Sequence, residues 1–188
     1  MLLVIDNLSS YFNDLTNCLK EAGAAHEVRR YDALLDASSL KNYDGIILSG
    51  RMKSTARMNV SNMRLVKLAY ESDKPMLGIC YGAEIIALAL NGSLRRMERR
   101  MVGEEIVTVR RSNPLTDKKD TLRVFESHGY YIARLPEEFS ALADSSSCKH
   151  EIIAHNTKQI FGTQFHPEVN VSGDGHGIID NFVKLTKR

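Results

Sequence analysis

The stretch Pro75-Met76-Leu77-Gly78-Ile79-Cys80-Tyr81-Gly82-Ala83-Glu84-Ile85-Ile86-Ala87-Leu88-Ala89-Leu90 decides the fold of this chain. Its first residues form a short apolar run, the mark of a buried strand, and residues 83–90 read as a helix. Between them one cysteine is pinched by Gly78 and Gly82. A strand, a nucleophile on a tight glycine-flanked turn and a helix make a nucleophile elbow. The helix start aims free N–H groups and a positive dipole end at the Cys80 sulfur, which favours the reactive thiolate.

Outward from the elbow, the first half alternates strand-like and helix-like segments. Residues 2–6 read as a strand, 11–23 as a helix, 26–30 as a short strand and 44–50 as a buried strand ending in a loop. Residues 60–71 read as a helix and 76–79 as the strand that feeds the elbow. This rhythm predicts an α/β fold, a flavodoxin-like open and mostly parallel sheet with helices on both faces. The second half is richer in strands, at 105–109, 121–125, 151–155 and 159–163, before a closing helix at 175–187. Ligands of open α/β sheets bind at the carboxyl ends of strands, so Gly50, Cys80 and His166 are expected to meet on one edge.

A chain of 188 residues suits one domain, 1–188, with a core of its own. A net charge of +2 singles out neither nucleic acid nor a membrane surface as partner. No apolar run approaches the roughly 20 residues of a membrane span. The N-terminus lacks the basic region and cleavage site of a signal peptide. Cys18, Cys80 and Cys148, odd in number and far apart, read as reduced thiols of a cytoplasmic protein. Cys148 and His150 alone do not make a metal site, and no metal is expected.

A nucleophilic cysteine needs a base, and the base needs an orienting partner. Gln164-Phe165-His166-Pro167-Glu168 offers both. If 166–168 stay extended, His166 and Glu168 share one face and Pro167 points away. The backbone N–H of Tyr81 and one from the loop after Ser49-Gly50 would hold an oxyanion. That set defines acyl transfer, most simply hydrolysis of an amide.

With Asp6-Asn7, Ser49-Gly50, Gly78-Ile79-Cys80-Tyr81-Gly82, Ser127-His128-Gly129 and Gly162-Thr163-Gln164-Phe165-His166-Pro167-Glu168, the chain resembles the class I (triad) glutamine amidotransferases along its whole length. Tyr81, Val169 and Asn181-Phe182-Val183 lean toward the GMP synthase branch, most of all its separate archaeal-type glutaminase chain. The resemblance implies hydrolysis of glutamine by Cys80, His166 and Glu168. It also implies a substrate site of Gly50, Arg51, Tyr81, Glu84, Ser127, His128 and Gly129. No cofactor is implied in this chain. ATP and magnesium would belong to an ATP-pyrophosphatase partner chain, which would use the ammonia to aminate XMP.

The chain departs from the family pattern at four places. Gly50-Arg51-Met52 replaces Gly-Gly-Pro, and Leu8-Ser9-Ser10-Tyr11 replaces Gly-Gly-Gln-Tyr. Glu84 stands where the family has a glutamine-contacting Gln, and Tyr130 where an Asp often follows Ser-His-Gly. A carboxylate one helical turn from Cys80 opposes thiolate formation. It could also bind the substrate's α-ammonium, be protonated, or be a solvated helix residue. Another amide or peptide substrate, and a non-enzymatic regulatory role, are the rival readings. The basic cluster Arg95, Arg96, Arg99 and Arg100 reads first as a solvated face, and it could also dock an acidic surface of a synthetase subunit or position an anionic substrate. Lacking interleaved aromatics, it does not suggest nucleic acid.

Overall fold

Apolar side chains alternating between two faces place the first strand at the centre of a sheet. Along β1 (Leu2–Asp6), Leu2 and Val4 enter one core while Leu3 and Ile5 enter another, as a period of two requires. The computed structural model, which describes residues 1–171 and 173–187, repeats this in the neighbouring strands. In β3 (Gly45–Leu48) and β4 (Met76–Ile79), Ile47, Leu77 and Ile79 join the first core, and Ile46, Leu48 and Met76 the second. Helices cover both faces. α1 (Phe12–Glu21) and α5 (Asp174–Thr186) bring Leu15, Leu19, Ile178 and Phe182 to the first core. α3 (Ala56–Glu71) and α4 (Tyr81–Ala89) bring Met58, Val66, Ile85 and Ile86 to the second.

The nine-stranded sheet has the order β2-β1-β3-β4-β9-β8-β7-β5-β6. From β2 (His26–Arg30) to β9 (Ile160–Thr163) all pairings are parallel. Beyond β9 the sheet continues antiparallel through β8 (Ile152–His155), β7 (Phe139–Asp144), β5 (Ser93–Val109) and β6 (Thr121–Arg134). The mostly parallel α/β architecture expected from the alternation is thus present, with an antiparallel extension. No helix among the described residues is long and apolar enough to cross a membrane.

The differences from the sequence reading have local causes. The strand expected at 105–109 is the end of a 17-residue strand. Its earlier part carries Arg95, Arg96, Arg99 and Arg100 on an exposed ribbon, with no apolar alternation to announce it. The strand expected at 121–125 runs on to Arg134 because β5 pairs with it over that length. α3 starts at Ala56, before residue 60, because the Thr55 hydroxyl accepts the N–H of Met58 at 3.1 Å. Two unexpected elements are β7 and the one-turn α2 (Ala37–Leu40), which is capped by Asp36 accepting from Ser39 N at 2.8 Å.

Near the junction of the two halves, the core holds an unusual pair. Glu126 of β6 and Glu151, just before β8, are both fully buried. Burial and the neighbouring Glu126 push the Glu151 carboxyl up to about 9, and Ser145 Oγ donates to its Oε1 at 2.6 Å. Glu151 is therefore held in the fold as the acid. The unfolded chain releases that proton near the ordinary value of 4.5, so the fold loses stability as pH climbs from there toward about 9. Glu151→Gln keeps the shape and removes the titration. Across that window the variant should become the more stable protein at the alkaline end, by about 1–3 kcal/mol. Denaturant unfolding of both proteins over the same pH range measures this, and parallel curves would refute it.

Candidate active site

Cys80 lies between β4 and α4 with φ 51° and ψ −104°, a conformation that non-glycine residues rarely adopt. Its N–H donates to the Thr163 carbonyl at 2.7 Å, and its own carbonyl accepts the Glu84 N–H at 3.0 Å. The helix start is pressed directly onto the strands. A Cβ at Gly82 would overlap the Leu48 carbonyl oxygen, and one at Gly78 would overlap the Gly82 backbone. Glycine at both positions is thus a packing requirement, and the bend at Cys80 is its result. The N–H groups of Tyr81 and Gly82 belong to the first turn of α4 and have no partner within the helix.

The neighbouring strand supplies the imidazole. β9 runs parallel to β4 with Thr163 beside Ile79, so the chain leaving β9 passes Cys80. The His166 N–H is fixed to the Phe125 carbonyl at 2.8 Å. The chain then turns, with Val169 N donating to His166 O at 3.2 Å, instead of staying extended as the sequence suggested. The turn brings Glu168 Oε1 to 2.8 Å from His166 Nδ1. With Nδ1–H donating to that carboxylate, Nε2 is left for proton exchange with Cys80, whose pKa the imidazole pulls down against its burial. Tyr11 packs edge-on against His166 at 4.6 Å between ring centroids. A Cβ at Gly50 would stand 2.7 Å from His166 Cε1, so the loop after β3 touches the ring because residue 50 has no side chain.

That loop is itself anchored. Asn7, at the end of β1, donates from its backbone to Ser49 Oγ at 2.9 Å and from its amide to Ser49 O at 3.0 Å. Asn62 of α3 donates to Asn7 Oδ1 at 2.7 Å. The Asp6-Asn7 and Ser49-Gly50 motifs therefore tie the carboxyl ends of β1 and β3 together beside the imidazole.

Opposing effects act on the pair. Burial pushes the Cys80 thiol up, against the pull of His166, and Glu84 adds to the rise. Burial also disfavours the His166 imidazolium, but Glu168 and Cys80 outweigh it and raise the ring well above its ordinary value. The thiolate expected from the helix terminus alone is thus opposed by burial, and His166 is the counterweight.

A cavity of about 170 Å³ opens beside Cys80. Arg51, Tyr81, Glu84, Ser127, His128 and Gly129, all singled out from sequence, line it, while Gly50 sits behind it against His166. Ser127-His128-Gly129 is part of β6. His128 donates from Nδ1 to the Tyr130 carbonyl at 2.7 Å and places Nε2 3.2 Å from Glu126 Oε2. Burial works against its charge, but the Glu126 carboxylate near Nε2 and the Tyr130 carbonyl at Nδ1 outweigh it and raise its pKa. Glu84 is no solvated helix residue: it is 3% exposed, and burial raises its pKa against the pull of Arg51.

Sequence reasoning missed Tyr11 here and offered Arg100 only as one of a basic cluster that could position an anionic substrate. Arg100 reaches from β5 to line the cavity and donates to Ser127 Oγ at 2.9 Å, while Tyr11 OH donates to the same oxygen at 3.2 Å. The arginine run concealed Arg100; the pairing of Met101 with His128 that carries it to Ser127 appears only in the folded sheet. Among the described residues no cluster of three metal-ligating side chains occurs. A thiol at the edge of a cavity, an imidazole fixed by a carboxylate and the backbone N–H groups of a helix start can carry out acyl transfer through sulfur.

Comparison with known proteins gives the family of the chain. Residues 3–185 match the family model described as glutamine amidotransferase class-I. The glutamine-hydrolysing GMP synthase of Macrococcus caseolyticus is 29% identical over 184 residues, and that of Acetivibrio thermocellus 32% identical over 186. Those alignments cover 98% and 97% of this chain but 36% of each relative, so the chain spans about a third of their length. A crystal structure of a Thermoplasma acidophilum protein described as a GMP synthase subunit superposes with a TM-score of 0.88 at 29% identity. That match covers 99% of this chain and 93% of the other. A Thermotoga maritima glutamine amidotransferase, 20% identical with a TM-score of 0.78 over 99% of this chain and 81% of its own, shares the fold. On the match of nearly its whole length, the chain belongs to the class-I glutamine amidotransferase family.

Proposed function

We propose that this chain is the glutaminase of an amidotransferase, acting through Cys80, His166 and Glu168. Cys80 Sγ attacks the side-chain amide carbon of glutamine as its proton passes to His166 Nε2. The N–H groups of Tyr81 and Arg51 hold the oxyanion. His166 returns the proton to the amide nitrogen, the C–N bond breaks, and ammonia leaves a thioester on Cys80. His166 then takes a proton from water, which attacks the thioester and releases glutamate and the thiol. Glu168 keeps Nε2 free for this traffic. The observation that carries the reading is the His166–Glu168 contact of 2.8 Å beside a cysteine held at φ 51°.

The acceptor reaction assigned here is amination of XMP to GMP on an ATP-pyrophosphatase partner chain, which would hold the ATP and magnesium. The one-third coverage of the GMP synthases and the match to a GMP synthase subunit support that choice. No metal or cofactor takes part in the steps within this chain. Three free, buried cysteines suit a reducing compartment such as the cytoplasm. A second reading, a cysteine-dependent amidase with another substrate, is favoured by Arg51 and Glu84 inside the cavity.

Glutamate release from glutamine tests the reading. Release should be slow for the chain alone and rise with the ATP-pyrophosphatase chain, ATP, magnesium and XMP. Cys80→Ala should abolish it under every condition. Turnover that is equal with and without the partner would overturn the coupling, and turnover that survives Cys80→Ala would overturn the mechanism. Glu168→Gln should lower kcat by about 10²–10⁴-fold while leaving KM within a few-fold, since the carboxylate orients the base without touching substrate. Steady-state kinetics on the two proteins decides it, and a change confined to KM would count against the role.

A further inference from the structure

The segment that carries His166 is gripped from two sides. As the chain leaves β9, Gln164 N–H donates to the Glu151 carbonyl at 2.8 Å, and His166 N–H donates to the Phe125 carbonyl at 2.8 Å. Glu151 immediately precedes β8, and Phe125 lies in β6 next to Glu126. In the strand order, however, β6 and β8 are separated by β5 and β7. Among the described residues no ladder pairs the two gripping segments with each other. The side chains that meet between them are Glu126 and Glu151, both 0% exposed.

Two buried carboxylates can lie together only if one keeps a proton. Glu151 has a place for it. Its Oε1 accepts from Ser145 Oγ at 2.6 Å, which leaves Oε2 to carry the acid hydrogen. Among the described residues, neither Glu151 Oε2 nor Glu126 Oε1 receives an N–H or O–H from elsewhere. One proton between these oxygens gives both a partner, as buried polar atoms require. The negative charge then belongs to Glu126, whose Oε2 lies 3.2 Å from His128 Nε2. The other ionisable groups around the pair are Glu105 of β5 and Cys148 near Glu151, Cys80 near Glu126, and Glu84 beyond His128. None of them supplies a cation that would let Glu151 ionise.

We propose that a single proton shared by Glu126 and Glu151 staples β6 to the start of β8 and so fixes the His166 segment, making both glutamates positioning residues for the imidazole. Their effect passes through the Phe125 and Glu151 carbonyls that hold that segment. With the staple closed, His166 keeps its place beside Glu168 and Cys80. Loss of the proton leaves two buried carboxylates that repel each other, the grips part, and the base loses its alignment. Burial and Glu126 push the Glu151 carboxyl up to about 9, so the staple is closed at neutral pH and opens in alkali. The proposal rests on Cys80 and His166 being the reacting pair, and not on which amide they cleave.

Alkylation of Cys80 by iodoacetamide, followed by peptide mass spectrometry, reports how well His166 draws the thiol proton and needs no substrate. Cys18 and Cys148, whose pKa values burial raises, are slow internal references. Glu151→Gln keeps a donor for Glu126 and has no proton to lose, so at neutral pH it should label within about twofold of the unaltered protein. Glu151→Ala removes the staple, and labelling of the folded variant should slow at least about tenfold. The ratio of the unaltered protein's rate to that of Glu151→Gln cancels the ionisation of the thiol itself. That ratio should fall at least about fivefold between neutral pH and about pH 10, and it decides alone if Glu151→Ala does not fold. A flat ratio, a Glu151→Ala protein that labels as fast as the unaltered one, or a Glu151→Gln protein slowed as much as Glu151→Ala would overturn the proposal. Glutamate release from glutamine is scored on the same proteins. Labelling as expected without release would reject the glutaminase reading alone, and release with a flat ratio would reject the staple alone.

Discussion

The contact between the first turn of α4 and the carbonyl of Leu48 is the constraint on which this structure depends. With only hydrogen on Gly82, the helix start lies directly on β3. Because the helix cannot stand off, the strand-to-helix turn has to close within one residue, and Cys80 takes φ 51°. Strain of this kind costs on the order of 1–3 kcal/mol and persists only where the surroundings overdetermine it. Here the Thr163 carbonyl, the packed glycines and the apolar remainder of α4 do so. The same approach buries α4 almost all round, so Tyr81 and Glu84 enter the interior with Ile85 and Ile86. A helix buried on every side is normally apolar throughout. Glu84 is the exception, and the site is arranged around it.

Ionisable groups concentrate on this side of the sheet. Glu84, Glu126, His128, Glu151, His166 and Glu168 are all buried. Most face a partner of opposite charge: Glu84 faces Arg51, Glu126 faces His128, and Glu168 faces His166. Among the described residues Glu151 has no ion pair with a cation, and it keeps its proton instead. Each solution avoids an isolated buried charge, whose cost would be several kcal/mol. The arrangement also suits a cysteine whose burial resists ionisation. A thiol in this environment has to give its proton to a fixed neighbour, and His166 is fixed from three sides by Glu168, Tyr11 and the Gly50 loop.

Short-range patterns were legible in the sequence. The strand, cysteine and helix of 76–89, the alternation of β1 and the pairing of His166 with Glu168 all rest on neighbours within a few residues. Placing Gly50, Cys80 and His166 on one edge needed only the rule that ligands sit at the carboxyl ends of parallel strands. What escaped depends on contacts across long separations. The length of β5 is set by its pairing with β6, because its exposed arginines carry no periodic signal. Arg100 and Tyr11 meet at Ser127 from distant segments. The burial of Glu126 and Glu151 was invisible because a glutamate in a strand ordinarily faces water, and only the strand order shows that these do not. The conformation of 166–168 was misjudged for a different reason. Extended backbone and the turn that is present both bring residues two apart onto one side, so the contact was foreseen by way of the wrong geometry.

Arg51 and Glu84 depart from the family pattern at two places, yet physically they are one change. A carboxylate at position 84 lies on a helix too tightly packed to expose it, so it requires a cation within reach. The start of α4 lies against Leu48 at the end of β3, so the loop that follows Leu48 begins beside it. An arginine two residues beyond Ser49 can lie over Tyr81 and reach Glu84 without disturbing Asn7 or Ser49, whose hydrogen bonds fix the loop before that point. The reverse dependence is weaker. Arg51 keeps 18% of its side chain exposed and can be partly hydrated without its partner, whereas Glu84 cannot. The carboxylate is therefore the demanding member of the pair: without Arg51 it would have to take up a proton, as Glu151 does, and burial already raises its pKa.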